Sequence, residues 1–186
     1  REYRRRYDED GPRLWAQVYG AGGDQNERQN IPGFSFKTFG FMAGADTKNA
    51  AENLTLGLAF SYADTNVDSD TINRTENNID SYLFTAYGEY MFDNDMFVNA
   101  QVSGGMNDID QTRINVGGTT VEEALSDYTS NQYQIYSEVG RLFSWDNDVH
   151  LTPVVSMNYM MVEPTDYTEK GLGGANLIVE TDPLSV

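Results

Sequence analysis

The chain has 186 residues, 39% of them apolar, which suits one domain of ordinary size but is too little for a bundle of membrane-spanning helices. No apolar run of about 18 residues occurs, so a transmembrane helix is excluded; a transmembrane barrel, in which only alternate residues meet lipid, tolerates this composition. The net charge of −17, from 29 acidic and 12 basic side chains, repels phosphate backbones and anionic surfaces, so nucleic acid is not a partner.

Cysteine is absent, which removes disulfides and thiolate metal sites and permits an oxidising compartment. The one basic cluster, Arg4-Arg5-Arg6, is flanked by Asp8, Glu9 and Asp10 and reads as a solvated leader. The first residues are charged and lead into no apolar core with a small-residue cleavage site. They do not read as a signal peptide, which leaves a cytoplasmic protein or the interior of a longer precursor.

After a polar stretch ending in Asp10-Gly11-Pro12, a first strand is predicted from Arg13 to Gly20. A polar loop closed by Pro32-Gly33 leads to a second, Phe34–Asp46, in which Phe39, Phe41, Ala43 and Ala45 alternate with Thr38, Gly40, Met42 and Gly44. The third is the most telling. Leu54, Leu56, Leu58, Phe60 and Tyr62 share one face, and Thr55, Gly57, Ala59 and Ser61 share the other. A soluble sheet turns charged residues to water on its second face. This one carries small, mildly polar residues, as a barrel wall does with lipid outside and a lumen within.

Asp64–Asp70 opens a long polar loop reaching Asn78, and a fourth strand follows, Ile79–Phe92. Asp93-Asn94-Asp95 is a tight turn into a fifth, Met96–Asp108; residues 109–128 read as strand ends and an extended loop. The sixth strand spans Tyr128–Trp145, the turn Asp146-Asn147-Asp148 repeats the earlier chemistry, and the seventh spans Val149–Val162. Asn176-Leu177-Ile178-Val179 begins an eighth, interrupted by Asp182-Pro183. Links of one parity (Thr47–Asn53, Asp93–Asp95, Asp146–Asp148) are short and rich in Asp and Asn; the others are long. Outer-membrane barrels carry short periplasmic turns and long external loops, and these strands are long enough to cross the hydrocarbon when tilted.

The ordered segments Arg13–Gly20, Phe34–Asp46 and Asn53–Tyr62, with Tyr167-Thr168-Glu169-Lys170-Gly171 later, resemble the translocator domain of Gram-negative autotransporters over about residues 13–180. The resemblance implies an all-β, antiparallel, up-and-down transmembrane barrel of twelve strands, of which about seven to eight are visible here. It makes residues 1–12 a linker remnant and 13–186 the barrel domain, incomplete at its C-terminus: Pro183-Leu184-Ser185-Val186 is not the family's aromatic ending. It also implies a bacterial outer-membrane location and type V secretion, as pore and anchor for the protein's own N-terminal passenger. The partners implied are that passenger, outer-membrane lipid and lipopolysaccharide, and the barrel-assembly machinery. No cofactor and no catalysis are expected. The alternatives are a small outer-membrane barrel that adheres or binds ligands through long loops, and a soluble sandwich or ligand-holding barrel.

Features suggesting chemistry are weak. Asp64-x-Asn66-x-Asp68-x-Asp70 opens like a calcium loop, but Ser69 and Thr75 stand where Gly and Glu belong. His150, the single histidine, has no Gly-x-Ser-x-Gly turn to serve. Gly171–Gly174 lacks the Lys of a phosphate loop, and Asn53-x-Thr55 and Asn73-x-Thr75 are glycosylation matches of little weight. On the expected faces, Glu89, Gln101, Gln134 and Glu138 are the lumen-facing candidates, either a hydrated wall for a passing polypeptide or wall-stabilising partners. Leu54, Leu56, Leu58, Phe60, Phe39, Phe41, Val155 and Met157 are the lipid-facing candidates, because a charge on the lipid side is costly.

Overall fold

The structure, a computed structural model, describes residues 12–28, 32–69, 74–117, 120–145 and 149–186. Six long strands form first: β1 (Pro12–Gln25), β2 (Phe34–Ala51), β3 (Leu54–Ser69), β4 (Thr75–Met91), β5 (Met96–Gly117) and β6 (Thr120–Arg141). A small hairpin follows, β7 (Phe143–Trp145) with β8 (Val149–Leu151), and then β9 (Val154–Pro164), β10 (Tyr167–Thr168), β11 (Ile178–Val179) and β12 (Leu184–Ser185). The main sheet is antiparallel throughout and has eight strands in the order β1-β2-β3-β4-β5-β6-β9-β12. Among the described residues β1 and β12 are its two edges.

The wall is one layer thick. Among the described residues only Ala63 and Ala124 are buried hydrophobics, while Leu14 is 86% and Leu58 68% exposed. The hydrophobic effect therefore finds no core inside this sheet, and its apolar surface is available for hydrocarbon. What holds the layer together is the ladder, since each interior strand hydrogen-bonds on both sides.

The short links are built from residues that tolerate left-handed backbone. Asn53, between β2 and β3, has φ 60°, and Asp95, between β4 and β5, has φ 61°. Asn and Asp enter that region at the lowest cost after Gly. This accounts physically for the acidic and amide character of those turns.

Several expected boundaries are corrected. The polar loop expected from Asp64 is strand as far as Ser69, and β4 begins at Thr75 rather than Ile79; Asp64 pairs with Asp80 and Asp68 with Glu76. Residues 109–128, expected to hold an extended loop, are the continuous hairpin of β5 and β6, still in register at Gly117 and Thr120. Beyond the apolar band both faces are polar, so the period-2 hydrophobic signal vanishes while backbone pairing continues.

The sixth strand is interrupted at Leu142 and resumes in register as β7 to Trp145, and the seventh is interrupted at Thr152–Pro153 between β8 and β9. Proline donates no ladder hydrogen bond; the pairing of β6 with β9 begins past it, at Gly140 and Val154. One register runs from Gly140–Val154 through Phe143–Leu151 to Trp145–Val149, so β7–β8 is the continuation of the β6–β9 hairpin towards the expected turn, and Asp146–Asp148 themselves lie outside the described residues. The eighth strand is present in two pieces. Met161 and Val162 face Ser185 and Leu184, and five residues further along each side Tyr167 faces Val179. One register thus runs through both pairs, so β9–β10 and β11–β12 are the arms of a single hairpin broken at Thr165–Asp166 and Glu180–Pro183. The Arg4-Arg5-Arg6 leader also lies outside the described residues, and Pro12, expected in the linker, opens β1.

Candidate functional site: a wall with two chemistries

Directly opposed residues in an antiparallel ladder point to the same face, so the register assigns every side chain. Leu14, Ala45, Leu58, Ala86, Val102, Ile135 and Tyr159 form one row across seven strands. Leu54, Tyr90, Val98, Val139 and Val155 form another. All eight lipid-facing candidates, Phe39, Phe41, Leu54, Leu56, Leu58, Phe60, Val155 and Met157, lie on this apolar face.

The apolar face has limits. Towards one end Phe41, Phe60, Tyr62, Tyr82 and Phe84 make an aromatic cluster with ring centroids 5.0 to 6.3 Å apart. Immediately beyond, Asp64, Asp80 and Asp108 oppose one another on three adjacent strands, and the Tyr62 hydroxyl donates to Asp80 Oδ1 at 2.5 Å. Towards the other end Tyr90 and Phe92 meet edge to face at 4.8 Å. Between Leu54 and Tyr62 lie the nine residues of β3 that fill the band, close to the roughly 9–11 that a tilted strand needs to cross hydrocarbon.

The other face is polar and hydrogen-bonded. Trp15 Nε1 donates to the Tyr87 hydroxyl at 2.8 Å, that hydroxyl donates to Asp46 Oδ2 at 3.0 Å, and Arg13 Nε donates to Asp46 Oδ1 at 2.6 Å. The two large rings lie low because glycines sit beneath them. A Cβ on Gly44 would fall 2.5 Å from Trp15 Cζ2, and one on Gly57 2.2 Å from Tyr87 Cζ.

All four lumen-facing candidates share this polar face. Glu89, Asn99 and Glu138 form one row across β4, β5 and β6. Glu138 accepts from Asn99 Nδ2 at 3.0 Å and from the Tyr136 hydroxyl at 2.6 Å. Gln134 Nε2 donates to Asn158 Oδ1 at 2.8 Å, and Gln101 stands opposite both Tyr87 and Tyr136. Glu89, Gln101 and Glu138 line one hollow of about 420 Å³ together with Arg13, Asp46 and Tyr87. Gln134 lines its neighbour with Trp15 and Ser103. His150 is on the peripheral β7–β8 hairpin, where its Nδ1 lies 3.1 Å from Ser144 Oγ.

Sequence reasoning missed the polar cluster beyond the Asp64–Asp80–Asp108 row. Arg113 on β5 donates through Nε and Nη2 to the two oxygens of Glu169 at 2.7 and 2.5 Å, and Leu177 N–H donates to Oε2 at 2.9 Å. Glu169 is only 2% exposed. Its carboxyl is held below the ordinary range, chiefly by the Arg113 hydrogen bonds and against the opposing effect of burial; Arg113 is correspondingly raised. Tyr167 stacks on Tyr128 with centroids 4.3 Å apart, and burial followed by the nearby Tyr167 pushes the Tyr128 hydroxyl up. The signal was the resemblance segment Tyr167–Gly171 itself, which contains both side chains.

One antiparallel meander with an exposed apolar face, a hydrogen-bonded polar face and an acidic rim is a transmembrane β-sheet wall of the outer-membrane class. The autotransporter beta-domain family model matches residues 14–184, and the chain belongs to that family. It is accordingly a β-domain of the Gram-negative outer membrane, of the kind used in type V secretion. Translocator domains of this family are secretion domains, not enzymes.

Among relatives, Outer membrane protein A of Rickettsia conorii is 27% identical over 175 residues, covering 89% of this chain and 8% of that protein. Outer membrane protein B of Rickettsia japonica is 21% identical over 169 residues, covering 88% and 10% respectively. The chain thus spans a tenth or less of those relatives. Among solved structures, the translocator domain of autotransporter NalP from Neisseria meningitidis superposes with a TM-score of 0.80 at 16% identity, over 96% of this chain and 60% of that one. The beta domain of the Bordetella autotransporter BrkA gives 0.66 at 17% identity, over 95% and 67%.

Proposed function

We propose that this domain is the wall of an outer-membrane pore that exports and then anchors its own N-terminal passenger. The segregation of the two faces carries the reading. An apolar face running from Leu14 on β1 to Tyr159 on β9 is stable only against hydrocarbon, and the polar face then borders a hydrated lumen. Glu89, Gln101, Gln134 and Glu138 line that lumen. The Asp64–Asp80–Asp108 row and the overhanging ends of β5 and β6 face the outside; the links at Glu52–Asn53 and Phe92–Asp95 face the periplasm. Residues 1–12 lead from the passenger, and the complete barrel has the family's twelve strands.

The work is transport, without catalysis. Bilayer lipid and lipopolysaccharide surround the apolar band, and the barrel-assembly machinery inserts the domain. The test is passenger display by the full-length protein in an outer membrane, measured by protease shaving of intact cells. Deleting the β-domain should leave the passenger in the periplasm. Display that persists without it overturns the proposal and favours an adhesive barrel with no cargo.

A further inference from the structure

The outer half of the last hairpin is joined to the wall through a broken ladder. On the outgoing arm, the ladder of β9 with β6 ends at Pro164 opposite Ser130, with one further backbone bond from Thr165 N–H to Thr129 O at 2.9 Å; on the return arm, no ladder pair lies between Val179 and Leu184. Thr181 fills the break, donating to Asp166 Oδ1 through N–H and to Pro164 O through its hydroxyl, both at 2.8 Å. The β10–β11 ladder has two pairs of residues, too few to hold an arm in place alone. Left to itself, that half would swing about the break.

It is tied down instead. Glu169 reaches past Ala124, which is 1% exposed, to take both Arg113 donors on β5, so the tie spans β6 entirely. Tyr167 stacks on Tyr128, and Lys170 exchanges both backbone hydrogen bonds with Leu125 at 2.8 Å. A two-pronged Arg–carboxylate pair whose carboxylate is closed off from water is hard to open, since separating it strands that charge in a dry site. We propose that Arg113 and Glu169 are positioning residues for secretion: they lock the outer half of the last hairpin into a fixed rim, so that the exported polypeptide passes a rigid wall rather than a moving gate. This rests on the translocator reading.

The experiment uses the full-length protein in outer membranes, with amide hydrogen exchange and passenger display as separate readouts. Glu169→Gln should speed exchange over residues 167–179 by about tenfold or more, with β2–β4 unchanged, and should lower display. The charge-swapped pair Arg113→Glu with Glu169→Arg should recover part of both. Because the chain lacks cysteine, Leu125→Cys with Lys170→Cys gives one defined cross-link across a hydrogen-bonded pair, where Cα atoms sit about 5.5 Å apart. Oxidising it in the parental protein should leave display unchanged, and oxidising it in the Glu169→Gln background should restore display.

Unchanged exchange in Glu169→Gln overturns the lock. Display that stops when the parental protein is cross-linked, and resumes on reduction, shows that the rim must open and overturns it equally. Where Glu169→Gln fails to assemble, the parental cross-link still decides. Failure of the translocator reading looks different: exchange follows the brace, while display is indifferent to the whole domain.

Discussion

Trp15 and Tyr87 stand on β1 and β4, with β2 and β3 between them, yet the indole N–H and the phenol oxygen are 2.8 Å apart. They meet because each ring lies down over the glycine directly opposite it, Trp15 over Gly44 and Tyr87 over Gly57. Tyr87 then reaches Asp46, which holds Arg13. Four strands are cross-braced on the polar face, with no second layer above them among the described residues.

Gly57→Ala puts a methyl group 2.2 Å from Tyr87 Cζ, so the ring must lift and its two hydrogen bonds must lengthen. Overpacking of this kind costs about 1–3 kcal/mol. The midpoint of denaturant unfolding should fall accordingly, and adding Tyr87→Ala should remove most of the extra cost of the methyl. An unchanged midpoint in Gly57→Ala refutes the close approach.

The two faces answer differently to charge. Leu58→Arg, in the middle of the apolar band, should destabilise the bilayer-inserted domain by about 2–4 kcal/mol. Gln101→Arg on the polar face should cost far less, since the guanidinium remains hydrated. Equilibrium folding into vesicles measures both, and similar penalties at the two positions sink the assignment of faces.

Glu169 makes the outer hairpin sensitive to acid. Its carboxyl titrates below the ordinary value of 4.5, with the Arg113 hydrogen bonds the main cause. A group depressed by folding contributes fully above its unfolded pKa, and that contribution is lost as pH falls through the folded one. Protection of residues 167–179 against exchange should therefore hold at neutral pH and decline below about pH 4, after correction for intrinsic exchange rates. Glu169→Gln should flatten the profile; an identical acid-induced loss in that variant assigns it to another group.

The hollow bordered by Glu89 and Glu138 carries more negative than positive charge, since Asp46 is bound to Arg13. If the polar face borders the lumen as proposed, a wall of that sign favours cations. Reversal potentials in a salt gradient should show a cation preference for the full-length protein, reduced by Glu89→Gln with Glu138→Gln. A preference untouched by both substitutions places selectivity elsewhere.

The band between Leu54 and Tyr62 was legible because lipid imposes alternation on every strand that crosses it. Past Asp64, Asp80 and Asp108 that constraint ends, which is why the tall β5–β6 hairpin read as loop while its backbone paired without a break. The hairpin leading to Asp146-Asn147-Asp148 was legible by the same alternation, and only its interruption beside Pro153 was not. The ion pair between Arg113 and Glu169 joins residues far apart in sequence across an intervening strand, and no local pattern announces such a partner. Glu89 and Glu138, by contrast, share a face that parity alone predicts.

From Asp108 to Gly117 the β5 strand runs nine residues beyond the acidic rim, with β6 beside it throughout. That is about 30 Å of extended chain. With this end outward, the hairpin is a mast on the bacterial surface, and a soluble molecule approaching the membrane on that side reaches its tip before the hydrocarbon. Its strands carry Asp108, Asp110, Glu122, Glu123 and Asp127, so whatever approaches from that side first meets carboxylates.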